Sequence, residues 1–246
     1  MSTPIIIALI LITIAALIAV NVVNVRQKHL QLLVKQQQRY YQALEQAEDA
    51  LSTCLKTVES LDVADQLNRE IIVILQRLLE LERFNQDPIK ARLALAESRQ
   101  QHISSGQLTP NLSRWCSSDT EIAALQTSLS QATRIINQRH AHQQLNDEQA
   151  RQLRQQLDWA KLQISVLSII AAGYQARDAA QITSALSYFQ KAQDLLQGSR
   201  NPDPRRLEIV RQLSSVMRHE RDTIELELFP ESADYVSGEP SLTDAT

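Results

Sequence analysis

Glycine is scarce in this chain, and its scarcity limits the fold before any motif is considered. The 246 residues include four glycines and seven prolines, and aromatic residues make up only 4%. Strand-rich folds need many tight turns, which draw on Gly, Pro, Asn and Asp. The abundant residues, chiefly Leu, Ala, Gln, Glu and Arg, favour helices instead. The sequence therefore predicts an all-α fold.

Several classes of function are also disfavoured by what the chain lacks. The formal net charge is −3, whereas a nucleic-acid-binding domain usually carries a basic face. The two cysteines, Cys54 and Cys116, stand far apart and do not form a metal-ligand spacing. Phosphate loops and dinucleotide fingerprints need clustered glycines. We therefore expect no nucleic-acid partner, no cofactor, no metal and no enzymatic activity.

One long apolar run stands near the N terminus. Residues 5–23 contain no charged side chain. At about 1.5 Å per residue, a helix of this length spans the ~30 Å hydrocarbon core of a bilayer. The residues before the run lack the basic side chains that a cleaved signal peptide would carry. We therefore predict a single transmembrane anchor at residues 1–23.

The charges that follow the anchor predict its orientation. Arg26, Lys28, Lys35 and Arg39 come directly after the run, and the first acidic residue is Glu45. Basic flanks stay on the cytoplasmic side of a membrane. The same side chains would lie against anionic lipid headgroups. We expect a single-pass membrane protein with a cytoplasmic C-terminal body.

Beyond the anchor, apolar residues recur at alternating spacings of three and four, which is typical of one helix face. If that face pairs with a second copy, the chain forms a coiled-coil homodimer. The residues of this candidate dimer seam are Leu30, Leu33, Tyr40, Leu44, Leu51 and Cys54. Neighbouring Val34, Tyr41 and Leu55 widen the apolar stripe, which suits an intramolecular bundle better. We favour the bundle and keep the dimer as an alternative.

The rest of the chain divides at turn-forming segments and at Asp-Pro pairs, which are typical of helix starts. The predicted segments are a heptad-patterned helix with the first helical hairpins (24–103), a loop (104–118), C-terminal helical hairpins (119–229) and an acidic tail (230–246). The last two helices are predicted at about 179–197 and 204–228. The tail carries four acidic and no basic residues, so we expect it to be disordered.

One stretch resembles a known repeat. Residues 169–196 read IIAAGYQARDAAQITSALSYFQKAQDLL. Gly173 in the first half, and Ala185, Phe189 and Ala192 in the second, resemble the small and aromatic positions of a tetratricopeptide repeat. In that family, small residues let two antiparallel helices approach and a large aromatic fills the gap between them. The resemblance covers this hairpin alone and implies a protein-interaction module.

These features together predict a non-catalytic, membrane-anchored scaffold or interaction adaptor, whose partners are the bilayer and a protein. Tyr174, Arg177 and Tyr188 form the candidate partner groove, since aromatic residues and Arg dominate binding hot spots. Two alternatives remain open. One is a signal-transducing or stress-sensing subunit that acts through the coiled-coil dimer. The other is an envelope-facing chaperone-like or structural protein, which requires the opposite orientation.

Overall fold

The part of the chain that the structure describes is helical. The computed structural model describes the backbone of residues 3–82, 86–225 and 228–229, and the side chains of 27–28, 31–82, 86–225 and 228–229. Within these ranges the helices are α1 (Thr3–Thr57), α2 (Leu61–Leu81), α3 (Asp87–Ser104), α4 (Asp119–Ala141), α5 (Asp147–Asp178), α6 (Ile182–Gly198) and α7 (Arg205–Met217). No strand occurs in them, and the predicted all-α fold is confirmed. The acidic tail at 230–246 lies outside the described residues.

Side-chain caps determine where several helices begin. The Ser60 hydroxyl accepts a hydrogen bond from the first turn of α2, and the Ser118 hydroxyl accepts one from the first turn of α4. At the start of α5, Asn146 and Gln149 form a reciprocal capping box. These side chains satisfy backbone N–H groups that have no partner within the helix. Ser60 therefore marks the break between α1 and α2, which no Gly or Pro signals.

The 55-residue helix α1 has two distinct parts among its described side chains. Most side chains between residues 31 and 39 are exposed, and burial begins at Leu44, which is 1% exposed. The helix thus projects beyond the bundle into which its C-terminal end packs. The predicted anchor at 1–23 falls on residues whose side chains are outside the described set. Within the described set, none of the helices combines the length and apolarity needed to cross a bilayer.

A first core joins α1, α2, α3, α4 and the N-terminal half of α5. Leu44, Leu51 and Cys54 are buried in it against helices of the same chain. Their face is occupied within the molecule, so the candidate dimer seam does not extend through these three residues. Of the remaining seam residues, Leu33 is 37% exposed and Tyr40 is half-buried at the edge of the core. The sixth, Leu30, has a side chain outside the described set.

A second core joins the C-terminal half of α5, α6 and α7. Ala185, Phe189 and Ala192 form the buried face of α6. Phe189 lies against Gly173 of α5 so closely that a Cβ at Gly173 would be 2.5 Å from Phe189 Cε1. The absence of a side chain at Gly173 therefore allows the ring to pack between the two helices.

The C terminus of the second core differs from the sequence prediction, because α7 ends at Met217 and not near residue 228. His219 has a left-handed backbone conformation with φ of +59°, which turns the chain. After the turn, the backbone N–H of Ile224 donates to the Tyr174 hydroxyl over 3.0 Å. Ile224 and Phe229 are buried in the second core. Ile224 and Phe229, with the partly buried Leu228, thus cover the core without forming a helix.

We predict that Gly173→Ala destabilises the protein by about 1–2 kcal/mol. Crowding in a packed core costs about 1–3 kcal/mol, and the better helix propensity of Ala returns up to about 1 kcal/mol. Urea unfolding followed by circular dichroism measures the difference. Gly198→Ala is the control, since a Cβ at Gly198 meets no atom within 4 Å. A Gly173→Ala protein as stable as Gly198→Ala would contradict this packing.

Candidate functional site

A cavity of about 380 Å³ lies where the first core meets the second. Its walls come from the turn between α1 and α2 (58–60), the middle of α5, and the loop between α6 and α7 (199–204). We call it the junction cavity, and its principal lining residues are Glu59, Gln156, Trp159, Gln163, Asp203 and Arg205. The lining is polar apart from Trp159 and a few aliphatic groups.

The loop between α6 and α7 is shaped by a series of local hydrogen bonds. The Ser199 hydroxyl accepts from the Asn201 amide over 3.2 Å, and the Asn201 side chain accepts from the Asp203 amide over 3.0 Å. The Asp203 carboxylate in turn accepts from the Arg205 amide over 3.0 Å. Such contacts between a side chain and the backbone two residues on are typical of turns. They place the Asp203 and Arg205 side chains together at the cavity wall.

Arg205 connects three parts of the molecule. Its Nη2 lies 2.7 Å from an oxygen of Asp203, and its Nη1 donates to Glu59. Its Cζ lies 5.2 Å from the centre of the Trp159 ring. A planar guanidinium can make forked hydrogen bonds and stack on an aromatic face at the same time. The start of α7 is thereby joined to the turn after α1 and to α5.

Glu59 receives a second cation from the loop between α3 and α4. Arg114 Nη1 donates to Glu59 over 2.7 Å, and the Arg114 side chain is only 1% exposed. Burial raises the pKa of the Glu59 carboxyl, but the hydrogen bond from Arg205 and the charges of Arg205 and Arg114 outweigh it. The pKa of Glu59 therefore falls below its usual value, and the carboxylate is ionised at neutral pH.

Two buried polar atoms of the residues that line this cavity have no hydrogen-bond partner among the described residues. They are Nε1 of Trp159 and Oε1 of Gln156. Trp159 is only 5% exposed. Most buried polar groups in folded proteins are hydrogen-bonded, so an orphan donor and an orphan acceptor at one cavity call for an explanation. Together with the other glutamines and the charged side chains of the lining, these two groups could bind a ligand through hydrogen bonds.

The predicted partner groove is not assembled as one surface. Tyr174 is 2% exposed and its hydroxyl is engaged by Ile224. Arg177 lies over the Tyr174 ring, with 5.0 Å from Cζ to the ring centre, and donates to the Asp222 carbonyl. Tyr188 is 39% exposed and lines a different cavity, beside Cys116. Tyr174 is therefore part of the core, and Arg177 and Tyr188 line different cavities.

The predicted lipid-facing residues and the two cysteines occupy different environments. Lys28, Lys35 and Arg39 are exposed on α1, and the side chain of Arg26 is outside the described set. Both cysteines are free thiols, and burial raises the pKa of Cys54 to about 12, which keeps it protonated. No group of three His, Cys, Asp or Glu among the described residues could hold a metal ion.

The residues of the junction cavity are absent from the sequence prediction. Glu59 and Arg205 are 146 positions apart, and no periodic pattern relates them. The Asp-Pro pair before α7 does predict a helix start close to Arg205. That signal does not indicate that the Asp203 carboxylate also holds the Arg205 guanidinium beside Glu59.

Comparisons with protein-family models, curated proteins and solved structures returned no match for this chain. The tetratricopeptide resemblance of residues 169–196 gains no support from them. Within the hairpin of α5 and α6, Phe189 packs on Gly173 and against the Tyr174 ring.

We predict that Glu59→Gln lowers the free energy of unfolding by about 1–2 kcal/mol at pH 7. The amide keeps the shape of the side chain but removes the negative charge that faces two guanidinium groups, one of them buried. Partial exposure of Glu59 to water keeps the loss below that of a fully buried pair. Denaturant unfolding measures the loss. Glu220→Gln is the matched control, because Glu220 pairs with the exposed Arg218 after the end of α7 and its change should leave stability almost unaltered.

The stability of wild type and Glu59→Gln should also respond differently to acid. A carboxylate whose folded-state pKa is lowered contributes stability above its unfolded value, near 4.5, and loses it as the pH falls through the folded value. The stability gap between wild type and Glu59→Gln should therefore shrink as the pH falls below about 4.5. A gap that stays constant or widens on acidification would contradict the ionised junction.

Proposed function

We propose that the protein is a membrane-tethered, non-catalytic helical scaffold that binds a partner protein through its folded body. The observation that carries the proposal is the continuity of α1 from Thr3 to Thr57. The apolar run at residues 5–23 belongs to the same helix as Leu44, where burial in the bundle begins. With 1.5 Å per residue, full burial in the body begins about 30 Å beyond the end of the run. A continuous helix would set that distance more firmly than a flexible linker.

The charge on the middle of α1 supports the orientation in this proposal. Lys28, Lys35 and Arg39 are exposed between the apolar run and the body. A basic side chain close to an anionic membrane surface contributes about 1 kcal/mol of attraction, which falls off within a Debye length, so Lys28 gains most. Basic residues after an anchor favour a cytoplasmic location for the chain on their C-terminal side. The proposed site of action is therefore the cytoplasmic face of a membrane.

The body would act by recognition. The described cavities offer hydrogen-bonding groups and fixed charges, and the residues that join the two cores hold these groups in place. An anchored body that keeps one orientation can present such a surface to a protein in the same compartment. Scaffold function of this kind needs rigid placement and an accessible surface, and it needs no reactive group.

The dimeric signalling alternative has less support. Leu44, Leu51 and Cys54 are buried within the chain, which leaves Leu33 and Tyr40 as the described seam residues that have accessible surface. Stable two-stranded coiled coils need several successive heptads with apolar positions free to interdigitate. We therefore place the scaffold first and the dimer second.

The membrane tether is tested by fractionation and by a topology reporter. Wild type, with a reporter fused after Thr246, should resist alkaline carbonate extraction and give a cytoplasmic signal. The double variant Ile10→Lys/Ile14→Lys should appear in the soluble fraction, since each charge at the centre of a span costs about 3 kcal/mol. Lysines at exposed Ser184 and Gln197 on α6 are the matched control.

Release of the wild type by carbonate would overturn the tether. A reporter signal from the opposite side of the membrane would overturn the cytoplasmic placement and favour the envelope-facing alternative.

A further inference from the structure

We propose that the partner-binding surface of the body is a groove along α5, and that it takes an extended peptide segment that carries Lys or Arg. The inference rests on the proposed function, since it identifies the site and the chemistry of the protein partner. The groove consists of the junction cavity and a second cavity beside it.

The two cavities adjoin along one face of α5. The second cavity has a volume of about 230 Å³ and is lined by Asp62, Asp65 and Gln66 of α2 together with residues of α5. Gln152 and Gln156 line both cavities, so the two cavities lie next to each other. The lining residues of α5 run from 149 to 163, about 20 Å along the helix axis. An extended peptide covers that length with about six residues.

Glutamine side chains form much of the groove. Gln149, Gln152, Gln155, Gln156 and Gln163 come from α5. A primary amide offers a donor and an acceptor, as a peptide unit does, so it can hydrogen-bond an extended backbone. A helical ligand would have satisfied its own backbone groups and could not use such a row. The row therefore favours an extended segment.

Gln149 and Gln163 already form hydrogen bonds within the protein, but the other three glutamines retain available groups. The Gln155 side chain is exposed and makes no hydrogen bond with any described residue. Gln152 donates to Glu148 over 3.0 Å, but its carbonyl oxygen has no donor within the described part of the chain. Where the two cavities adjoin, Oε1 of Gln156 is buried and has no hydrogen-bond partner among the described residues. Modest side-chain rotation on binding would bring this acceptor to the ligand.

An acidic side chain without an ion-pair partner among the described residues favours a basic ligand in the groove. Among its acidic residues, Glu59 and Asp203 are paired with Arg205, and Asp65 is paired with Arg69 at 2.9 Å. Asp62 is exposed and forms no ion pair with any described residue. Its carboxylate accepts a hydrogen bond from the Ser60 hydroxyl and lies 3.5 Å from the Gln156 amide. A Lys or Arg of the ligand would complement this carboxylate. Acidic segments are disfavoured by the same charge.

The test uses the full chain in lipid nanodiscs and a displayed library of random nine-residue peptides. Peptides retained by the wild type should be enriched in Lys and Arg over Asp and Glu. One enriched peptide, fluorescently labelled, is then titrated in anisotropy measurements. Methylation of its backbone nitrogens should weaken binding about tenfold or more. It removes the peptide N–H groups that would donate hydrogen bonds to the glutamine oxygens.

Variants locate the binding site. Asp62→Asn should weaken the labelled peptide about tenfold and Gln155→Leu about fivefold, which are the usual effects of losing one charged or one neutral hydrogen bond. The matched controls are Asp158→Asn, an exposed acid on α5 that lines neither cavity, and Gln197→Leu on α6. Both controls should bind within about twofold of wild type. Circular dichroism verifies that all four variants are folded.

Each contrary result has a definite meaning. Enrichment of acidic or uncharged peptides, or insensitivity to backbone methylation, would overturn the proposed ligand. Binding that is equal in the groove variants and the controls would overturn the groove and leave a protein-binding scaffold in place. A library from which the body retains nothing would overturn the inference, whereas the tether is decided separately by carbonate extraction.

Discussion

Burial of α5 in two successive cores is the constraint on which the rest of the molecule depends. Leu153, Leu157 and Ile164 lie in the first core, whereas Ile170 and Tyr174 lie in the second. The helix runs for 32 residues, about 48 Å, from Asp147 to Asp178. Because a single helix supplies a buried face to both cores, the distance between the cores and the rotation of one against the other are set by helix geometry. The cavity at their junction results from that arrangement.

The charges at the junction specify how the loops meet around α5. Glu59 binds Arg114 from one loop and Arg205 from the start of α7. Ion pairs of this kind often add little net stability, since removing the charges from water offsets their attraction. Losing one partner is nevertheless costly, so the arrangement disfavours other placements of the same loops. We interpret Glu59 as a residue that fixes the shape of the groove beside it.

Local signals in the sequence predict most of the helices, although not the end of α7, and they do not predict the site. The heptad spacing at Leu44 indicates a buried helix face because periodicity is a direct consequence of burial. The spacing of Gly173 and Phe189 likewise indicates a close helix contact. By contrast, the pairing of Glu59 with Arg205 depends on how distant turns meet in space, which no local pattern records. Tyr174, a candidate groove residue in the sequence, is buried because it packs against Phe189 of α6 and its hydroxyl is engaged by Ile224 in the segment after α7.

The most direct test of this account is hydrogen–deuterium exchange along α5 in the intact protein. If one helix unites the two cores, amides at 150–164 and at 166–176 should open with the same free energy, in a single cooperative event shared with α6 and α7. Exchange of the second stretch, together with α6 and α7, at a free energy several kcal/mol lower than the first would contradict it. The two cores would then be separate units, and the groove between them would have no fixed shape.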